Sequence, residues 1–244
     1  MPMRMNGKQQ YLHTHSSEKW TLLHMNAQRC GKAFDEMGVL PTYTGVLVHD
    51  CFSSYFKPEF QFAHVLCNAH LMRDCQGIVD HDRHQWADKM KALLQQSWRL
   101  AKAARAGHVP LSDEVLTEIE REYDDILALG ATEWAKDVIP EKTGPRGRKS
   151  KSKGANLGQR FKDYKEAILR FLYDEQIPFD NNQAERDIRM SKVKQKISGC
   201  FRTPLGGEQF ATIRGFISTL LKQARPLHNS LVSVLRGHFR FQIT

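Results

Sequence analysis

The sequence predicts an α/β fold in which a sheet-forming first third is followed by a large helical insertion and C-terminal helices. Three observations carry this expectation. Residues 8–16 (KQQYLHTHS) and 19–26 (KWTLLHMN) alternate in the way half-buried strands do. Residues 45–50 (GVLVHD) are apolar and β-branched, the composition of a buried strand, and end on a carboxylate. Residues 83–138 place Leu93, Leu94, Leu100, Val115, Ile119 and Ile126 in apolar stripes among charged residues, as amphipathic helices do.

Taken in order, Asn6-Gly7 is a hairpin signal that asks for a strand before it. Residues 1–5 alone are available for that strand, so the sheet reads as cut at its first element. Ser17-Glu18 supplies the next turn, and residues 29–37 read as a short helix stopped by Gly38. After the strand at 45–50, residues 60–67 read as a further strand and 68–79 as the start of a helix. Residues 107–110 (GHVP) break the following helical region into at least two helices. Residues 144–154 (GPRGRKSKSKG) contain no acidic and no apolar side chain. That stretch reads as a flexible basic loop able to touch phosphates, or equally as a solvated linker. Helices are expected at 156–173, after Asn181, at 210–223 and at 229–237, with Gly206-Gly207 as punctuation. These elements suggest a division at 1–80, 81–155 and 156–244.

The 244 residues, 41% of them hydrophobic, suffice for one large domain or a domain with an inserted module. No long apolar run could span a membrane, and residues 1–10 lack an apolar leader core, so a soluble, cytoplasmic protein is expected. The net charge of +9 and a pI near 9.4 favour a polyanionic partner, most often nucleic acid. Five cysteines without an export signal argue for reduced thiols.

Residues 178–190 (PFDNNQAERDIRM) are the most informative stretch. Asn181 suits a helix N-cap, which puts Glu185 near the first turn and Arg186 and Arg189 side by side at i and i+3. A carboxylate beside arginines is the combination expected where a metal ion meets a nucleic-acid backbone. A capped, solvated helix start with ordinary salt bridges is the other reading. Lys192, Lys194, Lys196 and Arg202 extend the positive charge. Asp50 sits at the carboxyl end of a strand, where open α/β sheets place ligands, although an Asp opening a turn fits equally. With Glu185 it could hold a divalent metal, provided folding brings the two together.

His64-x-x-Cys67-x-x-His70, with Cys75 beyond, has metal-like spacing. A structural zinc site is one reading; the strand-to-helix context favours the other, in which Cys67 is a buried small residue and His70 and Arg73 are polar contacts near the mouth of the sheet. There is no Gly-x-Ser-x-Gly motif and no phosphate-binding glycine loop, and the four tryptophans read as packing residues.

Val48-His49-Asp50, residues 66–73 (LCNAHLMR), residues 178–189 (PFDNNQAERDIR) and residues 194–201 (KQKISGCF) together resemble the insertion-sequence-66 family of bacterial transposases. The similarity runs in order over nearly the whole chain. It implies a ribonuclease-H-like mixed sheet with a helical insertion, its first strand truncated here. It also implies Mg²⁺- or Mn²⁺-dependent strand cleavage and transfer on double-stranded DNA, at transposon ends and target, with other transposase subunits or accessory proteins as further partners.

In the family an Asp-Asp-Glu triad binds the metals. Asp50 matches the second carboxylate and Glu185 the third. Asn181, Asn182 and Arg186 match the motif around the Glu, and His70 and Arg73 match the Cys-x-x-His-x-x-Arg block. The expected DNA contacts are Arg146, Arg148, Lys149, Lys151, Lys153, Arg186, Arg189, Lys192, Lys194 and Lys196. The first Asp has no match: no carboxylate precedes Glu18. Losing one ligand of a two-metal site misplaces the nucleophile, at a cost of about a hundredfold or more in rate. The polypeptide by itself is therefore expected to be inactive or nearly so. The alternatives are a non-catalytic DNA-binding remnant that modulates a full-length relative, and a basic helical protein with a zinc site and no DNA role.

Overall fold

The computed structural model describes residues 1–139 and 151–241. Its strands are β1 (Pro2–Met5), β2 (Lys8–Ser16), β3 (Thr21–Asn26), β4 (Val46–His49) and β5 (Ala63–Leu66). Its helices are α1 (Gly31–Met37), α2 (Asn68–Asp82), α3 (Gln85–Gly107), α4 (Asp113–Trp134) and α5 (Lys153–Asp163), then α6 (Lys165–Leu169), α7 (Asn182–Asp187), α8 (Arg189–Ser198), α9 (Pro204–Lys222) and α10 (Leu227–Leu235). The mixed α/β class read from the sequence holds. The chain divides into two compact units, one of Met1–Tyr43, Phe56–Gln61 and residues from Asn182 onward, the other of Thr44–Tyr55 and Phe62–Asn181.

The first unit is built on the antiparallel sheet β1-β2-β3. Asn6 and Gly7 both take positive φ, 46° and 72°, the two-residue turn that matches strand twist. The next turn is longer than Ser17-Glu18. The Ser17 N–H donates to the Trp20 carbonyl at 2.9 Å, and the Trp20 N–H to the Ser17 hydroxyl at 3.1 Å, so β3 begins at Thr21. One sheet face buries Met3, Met5, Leu12, Leu23 and Met25 against Phe201 and Ala211. The outer edge of β1 is bridged by Phe201: Asn6 N–H reaches its carbonyl at 2.8 Å, and its own N–H reaches the Arg4 carbonyl at 3.0 Å.

Gly206 and Gly207 do not punctuate the chain before a helix at 210. They lie in the first turn of α9, because Thr203 caps the Gly206 N–H at 3.1 Å and Pro204 is preset for the first helical position. A Cβ at Gly207 would stand 2.4 Å from the Met5 methyl, and one at Gly215 would stand 3.2 Å from the Thr21 carbonyl oxygen. These two glycines let α9 lie close against the sheet.

In the second unit β4 and β5 run parallel, with His49 opposite Leu66. The expected helical region resolves into α3 and α4. Between them His108 turns left-handed at φ 53°, and the Ser112 side chain caps α4. Trp86, Tyr123 and Phe161 are fully buried at the centre, and Tyr123 donates to the Phe161 carbonyl at 2.7 Å. The expected helix at 156–173 starts earlier, at Lys153, because Ser152 caps it. It breaks at Tyr164 and ends in a 3₁₀ turn, Arg170–Leu172. Lys153 and Gly154 are therefore helical and not part of a loop. Trp86, Trp98 and Trp134 pack against other rings as expected, Trp98 stacking on Phe179 at 5.0 Å. Trp20, though 38% exposed, also packs edge-on against a ring, Phe241, at 5.0 Å.

Candidate functional site

Asp50 follows β4 at its carboxyl end, half-buried, where the strand pattern puts it. Its backbone carbonyl accepts from the Phe52 N–H at 2.7 Å and from His49 Nδ1 at 2.5 Å. A carbonyl only accepts, so Nδ1 of His49 carries the proton. Its Nε2, 3.0 Å from His64 Nδ1, then accepts from that second imidazole. Burial lowers the His49 pKa to about 4, which keeps the ring neutral and this pattern intact. His49 also stacks on Tyr55, with ring centres 4.5 Å apart. The sequence reading missed this pair of histidines, which fixes the backbone on which Asp50 is mounted.

Cys67, just before α2, forms the second part of the site. Its N–H donates to the His49 carbonyl at 3.0 Å. Its thiol sulfur lies 3.1 Å from His70 Nδ1 and accepts the backbone N–H of Asn181 at 3.2 Å. Burial pushes the Cys67 thiol up, so it stays a neutral acceptor. Next to it, the Asn68 N–H donates to the Phe179 carbonyl and its side-chain amide to the Ile168 carbonyl, both at 3.0 Å. The Arg73 guanidinium donates back to the Ala69 carbonyl at 3.2 Å. Of the four residues with metal-like spacing, Cys67 and His70 meet each other, whereas His64 faces His49 and Cys75 is wholly buried, its thiol pushed up to about 12. Among the described residues no group of three or more His, Cys, Asp or Glu could hold a metal ion.

Glu185 is half-buried in the first turn of α7, as its motif predicts, and Asn182 opens that helix. The helix is shorter than expected. It stops at Asp187, and α8 begins after Ile188, so Arg186 and Arg189 fall on either side of a junction instead of one helical face. At the end of α7 the Asp187 carboxylate turns inward. It accepts from Lys222 Nζ at 2.7 Å, Ser16 Oγ at 2.5 Å, and Thr21 Oγ1 and Ser218 Oγ at 3.1 Å each. Burial raises the Asp187 pKa, but Lys222 and the hydroxyls overcome that and hold it below the usual carboxylate range. Lys222 also donates to the Ser17 and Trp20 carbonyls, so this ion pair pins the β2–β3 turn to α9 and α7.

A family model described as Transposase IS66 family matches residues 1–209. The chain belongs to the IS66 family of transposases. No curated protein and no solved structure matches it.

Membership in the IS66 family makes the placement of the cations informative. Arg146, Arg148 and Lys149 lie outside the described residues. Lys151 and Lys153 are exposed at the start of α5. Arg186 is exposed and donates to Gln183 at 2.8 Å. Arg189, Lys192 and Lys196 are exposed on α8, whereas Lys194 lies over the Phe201 ring at 4.9 Å. By contrast α4 carries eight acidic side chains and a single arginine, which makes it a helix that repels phosphate. No helix among the described residues is long and apolar enough to cross a membrane.

Proposed function

We propose that this IS66-family chain acts in DNA transposition through a ribonuclease-H-like core that cuts and joins strands in a metal-dependent reaction, and that it does so in the cytoplasm, where the element's DNA lies. Asp50 and Glu185 are its metal ligands. One observation supports this pairing most: Asp50 directly follows β4 and Glu185 sits in the first turn of α7, at the positions that match the second and third carboxylates of the family motif. The five strands occur as an antiparallel β1-β2-β3 sheet and a separate parallel β4-β5 pair; these strand directions, with α3 and α4 inserted in sequence between the two carboxylates, support the fold assignment.

The donor chemistry suits Mg²⁺ or Mn²⁺, because such ions are held by one or two carboxylates and keep waters or phosphate oxygens as their remaining ligands. When bound, the metal supplies charge stabilisation at the phosphate and a more acidic water. The protein contributes placement. The neutral His49–His64 pair orients the Asp50 backbone, the Cys67 sulfur holds Asn181, and buried Asp187 sets the pitch of α7. Arg186 and Arg189 offer forked donors to phosphate oxygens on double-stranded DNA. His70 and Arg73 line the corner between β5 and α2.

The first carboxylate of the family triad has no match in this sequence. The exposed Arg189, Lys192 and Lys196 of α8 also fit a second reading, a DNA-binding protein that occupies the element's ends and modulates a full-length relative. Both readings are tested on duplex DNA bearing those ends. In Mg²⁺ or Mn²⁺ the 244-residue chain nicks at least about a hundredfold more slowly than one extended at its N-terminus to supply the triad's first carboxylate. The extended chain loses nicking on Asp50→Asn or Glu185→Gln. If the extended chain nicks equally well with both substitutions, the metal assignment is wrong. Binding with no nicking from either chain leaves the second reading.

A further inference from the structure

We propose that the outward face of α8 seats in a groove of duplex DNA, its cationic half on phosphates and its apolar half against sugars and base edges. This rests on the reading of the chain as a DNA-binding transposase. It adds which helix enters the duplex and what the uncharged side chains do there.

The helix is two-sided in an unusual way. At 100° per residue, the buried Ser191 marks the face turned toward the protein. On the opposite face Arg189, Lys192 and Lys196 fall along one side, and Met190, Val193 and Ile197 along the other. The three apolar side chains are 44%, 36% and 80% exposed, which makes a contiguous stripe in water. Apolar residues scattered singly need no explanation, but an aligned set at i, i+3 and i+7 marks a surface that something covers.

The charge identifies the cover. No residue of α8 is acidic, so the stripe is bordered by cations alone. Duplex DNA offers phosphates to those cations, and thymine methyl groups and sugars to the stripe. Ten residues rise about 15 Å, enough to cross a major groove about 12 Å wide. The helix is also held firmly at its base. Asp187, two residues before it, is locked by Lys222, and Lys194 is anchored on Phe201, which leaves the outward face to the partner.

The experiment is fluorescence anisotropy with a labelled 30-base-pair duplex across a salt series. Arg189→Gln, Lys192→Gln and Lys196→Gln combined should reduce the salt slope by roughly two to three. Val193→Ser with Ile197→Ser should weaken binding about tenfold or more while leaving the slope unchanged. Ile197→Ser alone should give a smaller loss of the same kind. Unchanged circular-dichroism melting verifies that the variants fold. If the cation variant loses slope while the serine variants bind as the parent does, the inference fails and the transposase reading stands. If the serine variants change the sedimentation of the free protein and not its DNA affinity, a protein covers the stripe and the inference fails. If the parent shows no salt-dependent binding, both fail together.

Discussion

The backbone N–H of Asn181 donates to the thiol sulfur of Cys67 at 3.2 Å, across 114 positions of sequence. That bond ties Asn181 to the corner that also fixes Asp50. Cys67→Ala should remove the acceptor and leave a buried N–H unpaired, lowering stability by about 1–3 kcal/mol. Cys67→Ser keeps an acceptor and should cost less. Urea denaturation of the two variants measures the difference, and equal losses would mean that only packing volume matters there.

The Asp187–Lys222 pair is buried on both sides, with side chains 6% and 10% exposed. Removing one partner strands the other charge, so Lys222→Ala should cost about 3–5 kcal/mol. Replacing both, as Asp187→Leu with Lys222→Met, should restore a good part of that loss. The native Asp187 pKa is depressed, so its contribution is complete above the ordinary carboxylate range and is lost as pH falls below about 4. Denaturation at pH 3 should therefore separate the parent from the double variant far less than denaturation at pH 6 does.

His49 gives a second acid-sensitive contribution at higher pH. Its native pKa of about 4 lies below that of an exposed imidazole, so the unfolded chain takes up the proton first. Stability from this group is complete above pH 6.5 and falls as pH drops toward 4, by at most about 3 kcal/mol at 1.36 kcal/mol per unit. His15, also lowered to about 4 by burial, acts in the same direction. His49→Gln should flatten the slope of stability against pH between 6.5 and 4, and an unaltered slope would mean His49 is not buried as described.

Two glycines of α9 should respond differently to alanine. At Gly215 the new methyl meets backbone, the Thr21 carbonyl oxygen at 3.2 Å and the Leu23 nitrogen at 3.4 Å, which cannot swing aside. At Gly207 it meets the end of the flexible Met5 side chain. Gly215→Ala should destabilise by about 1–3 kcal/mol and Gly207→Ala by less, read from thermal unfolding. The reverse order would show that α9 can shift along the sheet.

Much of the fold is legible because its signals are local. Asn6-Gly7 dictates a tight hairpin, Gly38 ends α1 at φ 70°, and the apolar run before Asp50 forms strand β4, although only its His49 is buried and Val46 is exposed. The motif predicts Glu185 in a first turn because helix starts depend on nearby residues. What escapes the sequence depends on distant pairing. Nothing near Asp187 announces Lys222, so its inward-turned carboxylate is invisible, as is the junction at Ile188, and Arg186 and Arg189 read as one face. His49 and His64 are 15 positions apart and meet because β4 and β5 run parallel. Lys194 reads as a phosphate contact until Phe201 is seen beneath it.

The bridge between Phe201 and β1 has a protective consequence. An unpaired strand margin is a template on which foreign strands assemble, and β1 carries one of the two margins of its sheet. With the Arg4 carbonyl and the Asn6 amide already engaged, an incoming strand must first displace Phe201 from a hydrophobic seat. The residue that closes the core thereby also guards the molecule against fibre growth.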